Sequence, residues 1–354
     1  MPYYRDYRTS IWDKKGDFVT FLPCSFFHTA ALGETGQAEF TIDINNPLNR
    51  RDIIATGNYV LFEHQRLGDW AGVIAPNNGL SWTGDGVRIV RALEVAHQFA
   101  RRRSPLYVMD NKPLAVVGNA GSLLRKVINY ANAKQDALLR PGDILPGDIA
   151  LIHLKYEMTH ELLHSLERKS KCESWVTPEK DENGRLIFRV HLARRRGAAR
   201  GYTLREGINL ELERGDIYRE DGAIINDFAA IVQTDSGYQH AQYEDRRSIY
   251  ENGLWQGSEQ DGEGDPKFLV RNTVAAGRDP ERTYKVTAIE SPESPDTFAY
   301  VGLGDVVNLC MYNGGAYYNE AGVDTSVRIV AREYSSVENK AILTVQEEEE
   351  NAIR

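Results

Sequence analysis

Within the first hundred residues, short runs of β-branched and aromatic residues alternate with clusters of Gly, Asn, Pro and Asp, and this punctuation narrows the possible folds more than any other feature. The runs fall at 18–27, 38–44, 58–63 and 87–92, separated by GETG, NNPLN and APNNG. Branched and aromatic side chains fill a pleated surface, while the cluster residues supply the backbone angles of tight turns. The segment therefore reads as a small antiparallel barrel or sandwich. Near Leu93 the period changes. ALEVAHQFARRR consists largely of helix formers and ends in three arginines, which suit the negative end of a helix dipole, so a short helix is expected to close the unit.

A stronger helical pattern follows Gly118-Asn119-Ala120-Gly121. With Ser122 read as the N-cap, Leu123, Leu124, Val127, Ile128 and Ala131 recur at helical spacing, and Arg140-Pro141-Gly142 is expected to end the helix. A second helix is expected to start at Ala150 or Thr159 and to run to Lys171. Glu173-Ser174-Trp175-Val176-Thr177, a turn at Asp181-Glu182-Asn183-Gly184 and the run 185–192 then read as a hairpin, so this stretch is an α/β unit. Strand-like runs resume at 208–212 and 223–233. Residues 252–265 read as a Gly-rich loop, 267–276 as a short helix, and 283–289, 306–311 and 327–345 as further strands.

At about 100 to 200 residues per domain, 354 residues make two or three units. The fold class is α+β, mainly β: two β-barrel-like domains with an α/β insert. The expected division is 1–105 for the first barrel-like domain, 106–204 plus 240–281 for the α/β domain, and 205–239 plus 282–346 for the second barrel-like domain. Residues 347–354 form an acidic, solvated tail.

Charge and cysteines narrow the chemistry. Lys and Arg total 42 against 51 Asp and Glu, a net charge of −9, which argues against binding nucleic acid by counterion release. Cys24, Cys172 and Cys310 are too few and too widely spaced for a disulfide framework or a CxxC zinc pair. The opening MPYYRDYRTSIW lacks the apolar core of a secretory signal, and no run approaches the ~18 apolar residues of a membrane span.

His160-Glu161-Leu162-Leu163-His164 matches the zinc-peptidase pattern HExxH, in which two histidines one turn apart grip a metal and the glutamate activates its water. On a helical projection the histidines share the charged face with Glu157, Glu167, Arg168 and Lys171, opposite Leu162, Leu163 and Leu166. That placement favours a solvated face. A third ligand such as Glu206 or Glu211 keeps the metallopeptidase open as an alternative. Arg101–Arg103 and Arg194–Arg196 with Arg200 are candidate phosphate contacts, read in preference as helix ends and loops that face water or pair with a neighbouring subunit. Gly302-Leu303-Gly304-Asp305 is a turn feeding a strand, because no GK[ST] follows it. Tyr317 and Tyr318 suggest a third alternative, a carbohydrate-binding β module.

The order of these segments resembles the hub proteins of phage tail tips and baseplates. Asp69-Trp70-Ala71-Gly72-Val73-Ile74, then Gly86-Val87-Arg88-Ile89-Val90 and a helix ending Phe99-Ala100-Arg101-Arg102, are similar to the first barrel of that family. Gly118-Asn119-Ala120-Gly121 before LLRKVINYAN, then Glu173-Ser174-Trp175-Val176 and the hairpin ENGRLIF, are similar to its α/β insert. The likeness continues through Ile224-Ile225-Asn226-Asp227, the connector Asp245-Arg246-Arg247-Ser248-Ile249-Tyr250-Glu251-Asn252-Gly253, Leu303-Gly304-Asp305-Val306-Val307 and Val327-Arg328-Ile329-Val330. Each motif is degenerate; their shared order over nearly the whole chain carries the resemblance. Two departures are the lack of a fibre or lysin-like extension after Val345, and Glu251-Asn252 where a small residue would follow Tyr250.

The resemblance implies a structural virion protein rather than an enzyme, with no catalytic residues, metal or cofactor. Such hubs are homotrimers whose paired β lobes present six units to a hexameric tail tube or distal tail protein. DNA and a tape-measure protein pass through the lumen, which is expected to be acidic, and a distal fibre or tip protein is a further expected partner. The implied location is the virion tail tip, with assembly in the host cytoplasm.

Overall fold

Alternation along each N-terminal strand decides which side chains face inward. The computed structural model describes residues 6–75, 80–82, 86–105, 108–109, 112–212, 218–221, 224–234, 237–262, 265–277, 281–312 and 322–348. Its first eight strands are β1 (Tyr7–Trp12), β2 (Phe18–Phe21), β3 (Ser25–Ala31), β4 (Gln37–Asp43), β5 (Tyr59–His64), β6 (Trp70–Ile74), β7 (Leu80–Trp82) and β8 (Val87–Glu94). Every second side chain of β3 and β4 is buried, and their antiparallel register sets Phe26 opposite Phe40 with stacked rings 6.0 Å apart. The run expected at 18–27 is two strands, broken at Leu22-Pro23-Cys24, where proline has no N–H to give a ladder. β5 and β6 are buried almost throughout, which is why YVLF and WAGVI read as continuous apolar runs rather than alternating ones.

The helix expected in ALEVAHQFARRR shrinks to a single turn, α1 (His97–Ala100). Ala92, Leu93 and Glu94 remain in β8, held by ladders to β4 on one side and β6 on the other. Pairing overrides helix propensity here.

The middle of the chain supplies β9 (Val108–Met109), β10 (Lys112–Asn119), α2 (Ala120–Asn132), β11 (Leu139–Ile144), β12 (Ile149–Leu154), α3 (Thr159–Ser170), β13 (Glu173–Lys180) and β14 (Leu186–Ala193). α2 buries Leu123, Leu124, Val127, Ile128 and Ala131, the stripe its spacing predicts. Its cap is Asn119 rather than Ser122, because the Asn119 side chain accepts the Ser122 N–H at 2.8 Å. The helix also stops earlier than expected. Asn132 closes its end by accepting from Ala137 N–H and donating to the Leu139 carbonyl, so 139–144 is free to pair in parallel with β14. Of the two starts considered for the next helix, Thr159 is the one observed; 149–154 is a strand paired with β10. Trp12, Tyr59, Leu61 and Val73 of the first strands share one core with α2, α3 and β14.

The remaining elements are β15 (Ala199–Arg205), β16 (Leu210–Glu211), β17 (Tyr218–Asp221), β18 (Asp227–Thr234), β19 (Gly237–Glu244), α4 (Arg246–Asn252), β20 (Gln256–Gly262), α5 (Pro266–Gly277), β21 (Glu281–Ala288), a 3₁₀ turn at Thr297–Tyr300, β22 (Val306–Met311), β23 (Val323–Ser335) and β24 (Lys340–Glu347). The largest sheet runs in the order β16-β21-β24-β23-β3-β4-β8-β6-β5-β1-β2. Its N-terminal and C-terminal strands meet where β3 pairs with β23, Phe27 opposite Ser335 and Ala31 opposite Ala331. Among the described residues the path is open at β2 and β16 rather than closed into a barrel. The class is mainly β, with helices added.

Contacts divide the chain into two units. One comprises Met1–Glu213 with Val286–Glu348, and the other Arg214–Lys285 with Glu349–Arg354. Residues 214–285, which the sequence reading shared between the insert and the second barrel-like domain, thus form a unit of their own. In it α5 covers one face of the sheet β19-β18-β20, with Phe228, Ala230, Val270 and Val274 as the core. β20 occupies part of the stretch read as a loop. Its side chains gave no strand signal, but its backbone pairs with β18 in parallel, and Gly257 lies so close to Phe228 that an added Cβ would sit 2.8 Å from the ring. Of the expected acidic tail, Glu347 ends β24 and Glu348 bonds Arg195, while 349–354 lie outside the described residues.

Candidate functional site

α3 places its two histidines on the face opposite Leu162, Leu163 and Leu166, with ring centroids 5.8 Å apart. The carboxylates of Glu161 and Glu167 are already used. Glu161 accepts the Met158 N–H at 3.1 Å, capping the start of the helix as a reaching-back N3 residue does, and Glu167 holds His164 Nδ1 at 3.1 Å while also taking the Ser174 N–H. His160 Nδ1 is shielded from solvent without a hydrogen-bond partner. Glu206 accepts the Tyr312 N–H at 2.7 Å and Glu211 pairs with Lys340, so both residues considered as a third ligand are engaged elsewhere. Among the described residues no group of three or more His, Cys, Asp or Glu could hold a metal ion.

The second arginine cluster, read as facing water or a neighbouring subunit, forms ion pairs within its own unit while Arg194 and Arg200 remain exposed. Arg194 meets Asp148 at 2.8 Å, Arg195 meets Glu348, and Arg200 meets Asp305 at 2.8 Å. Glu173 takes the Arg196 N–H and binds both Nη atoms of Arg328, at 2.9 and 2.6 Å. Burial works against ionising Glu173, yet the Arg328 fork, the Arg196 N–H and the nearby arginine charges together outweigh it and hold the carboxyl below the usual carboxylate range. Deeper in, burial raises the Glu94 carboxyl and lowers the Arg332 guanidinium to about 10, still a cation at neutral pH. Arg332 donates to the carbonyls of Leu67 and Val301. The GxGD turn belongs to this clamp: Asp305 accepts the Ala198 N–H, and Gly304, at φ 84°, has no room for a Cβ, which would lie 2.4 Å from the Arg196 carbonyl oxygen.

Exposed apolar side chains were not anticipated as a group. β2 ends the largest sheet, and Phe18 and Phe21 on it are 47% and 48% exposed, their rings 4.9 Å apart with the Arg8 guanidinium over Phe21. Edge strands ordinarily carry charge, proline or a covering element to prevent pairing with other chains. This one carries aromatics. A second exposed pair, Val117 and Ile149, lies on the β10–β12 ladder, and in the smaller unit Tyr238, Tyr250 and Trp255 are exposed. The available signal was FVTF itself, four residues with strand character on both faces. Tyr317 and Tyr318 lie outside the described residues.

The order of strands and the position of the helices can be compared with solved structures. The fold is shared with phage tail proteins. A prophage tail protein from Listeria monocytogenes matches 98% of this chain and 96% of its own at TM-score 0.58 and 13% identity. The 43 kDa tail protein of prophage MuSo2 from Shewanella oneidensis matches 96% and 98% at TM-score 0.60 and 14% identity. A tail protein from Neisseria meningitidis matches 97% of each chain at TM-score 0.59 and 11% identity. No family model and no curated protein matches the sequence. At such low identity the likeness is one of fold, as the resemblance in segment order implied.

Proposed function

We propose that this chain is a structural subunit of a phage tail tip or baseplate, a non-enzymatic virion protein that assembles as a homotrimeric hub. The observation that carries the reading is the end-to-end sharing of a fold with tail proteins, over 96% or more of both chains. Paired β lobes, one built on residues 1–105 and the other on 205–239 plus 282–346, would let three copies offer six similar surfaces to a hexameric tube. Closed cyclic symmetry repeats one interface without leaving sheet edges free. The aromatic edge at β2 supports the reading, since it supplies an apolar strand for a neighbour to cover. In the assembled tip the distal tail protein lies on one side and a fibre or tip protein on the other, with DNA and tape-measure protein passing through a lumen that does not hold phosphate.

Light scattering on purified protein mixed with its tube or distal tail protein tests this. The expected mass of the hub component is three subunits. A component that stays monomeric with the tube protein present overturns the trimer, and chelator-sensitive peptide hydrolysis returns the reading to a metallopeptidase built on His160, Glu161 and His164.

A further inference from the structure

One cavity carries more positive charge than its surroundings neutralise. It encloses about 220 Å³ beside α1 and the end of α2, in the larger unit, with Lys14, Arg101 and Arg102 in its wall and Asp136 as the one carboxylate lining it. Asp136 is already committed, bound through both oxygens to Arg140 at 2.9 and 2.6 Å and accepting the Leu138 N–H. Neither Lys14 nor Arg101 forms an ion pair with any described residue. In a chain of net charge −9, three cations converging on one hollow with their only carboxylate occupied is an arrangement that asks for an anion.

The deeper wall is built rather than incidental. Gln98 and Tyr59, 1% and 3% exposed, line it; Gln98 donates to the Tyr59 hydroxyl at 3.2 Å and accepts from Arg102 Nη1. That bond orients the Arg102 fork before any ligand arrives, so less entropy is lost on binding. Burial, with a smaller push from the neighbouring Arg101, holds the Arg102 guanidinium below its ordinary value against opposing pulls from Tyr59 and Asp136. An anion between the two would relieve that repulsion. Size limits the ligand, because pockets for drug-sized molecules occupy roughly 300–1,000 Å³. A single tetrahedral group suits both the volume and the arginine fork.

We propose that this cavity binds one phosphate group, as inorganic phosphate or a small phosphate monoester, with Arg102 as the oriented fork and Arg101 and Lys14 completing the charge. The test titrates full-length protein at constant ionic strength and reads melting temperature and ³¹P line broadening. Inorganic phosphate is expected to give a saturable response. The double variant Lys14→Ala/Arg101→Ala changes two exposed side chains; it is expected to melt like the parent without phosphate and to need at least tenfold more phosphate for the same shift. Glycerol 3-phosphate binding more tightly than inorganic phosphate assigns the site to a monoester, and weaker binding assigns it to the free ion. If the double variant folds poorly, Arg101→Gln alone and the broadening seen with the parent protein decide the matter. A parent response that does not saturate, that chloride reproduces at equal ionic strength, or that survives both substitutions overturns the proposal.

Discussion

His64 shows how much chemistry a single residue can hide from sequence reading. It sits on β5 with the look of a polar strand end, yet it is buried against Phe62, Phe298 and Tyr334, and its Nδ1 accepts the N–H groups of Arg66 and Leu67 at 3.2 and 3.0 Å. A ring nitrogen accepting two hydrogen bonds cannot carry a proton. Burial lowers the His64 pKa to about 4, with Arg66 and Arg332 also opposing the cation while Asp6 favours it. Between that value and the ordinary 6.5 of an unfolded histidine, the unfolded chain binds the extra proton. His64 therefore contributes stability that is intact above pH 6.5 and is lost as pH falls towards 4. Imidazole NMR should find His64 neutral at pH 5.5 as the Nε2–H tautomer; titration near 6.5 would contradict this geometry. The HELLH motif teaches the converse. Its spacing was legible, but whether Glu161 faces a metal or the start of its own helix depends on Met158, which no motif includes.

Elements were legible where side chains carry the pattern and obscure where the backbone does. The α2 stripe and the hairpin around Asp181-Glu182-Asn183-Gly184 matched expectation because burial and turn chemistry are written in residue types. β20 was missed because a polar edge strand is specified by its partner's free backbone groups. α1 was overestimated because two neighbouring ladders held Leu93 and Glu94. β2 is the element on which assembly can be tested. Phe18 packs edge-on to Trp12 at 5.3 Å, but about half of its surface remains exposed, so a charge there costs little within one subunit and much beneath a neighbour. Phe18→Glu with Phe21→Lys should keep the far-UV circular dichroism of the parent while weakening trimer formation at least tenfold, about 1.4 kcal/mol or more. Unchanged association measured by sedimentation would exclude β2 from the interface.

At the scale of the whole molecule, the sequence suggests lobes in succession, whereas the contacts join distant parts of the chain. β3 pairs with β23, and the Glu173–Arg328 fork ties β13 to β23, so an N-terminal strand and a middle strand of the larger unit are both bound to one near its C-terminus. Period and turn signals cannot disclose this, because a pairing between residues 27 and 335 leaves no local mark. Cooperativity follows from those connections. The larger unit should unfold as a single transition, while the unit at 214–285, with a core centred on Phe228, Ala230, Val270 and Val274, has far less buried apolar surface to resist heat. Calorimetry is expected to resolve a small early transition and a large late one. Val274→Asp buries an unpaired carboxylate and should abolish only the first; Arg328→Met leaves Glu173 without its fork and should lower only the second. Both variants shifting one common transition would mean that the two cores melt together, and the division into units would then describe contacts but not folding.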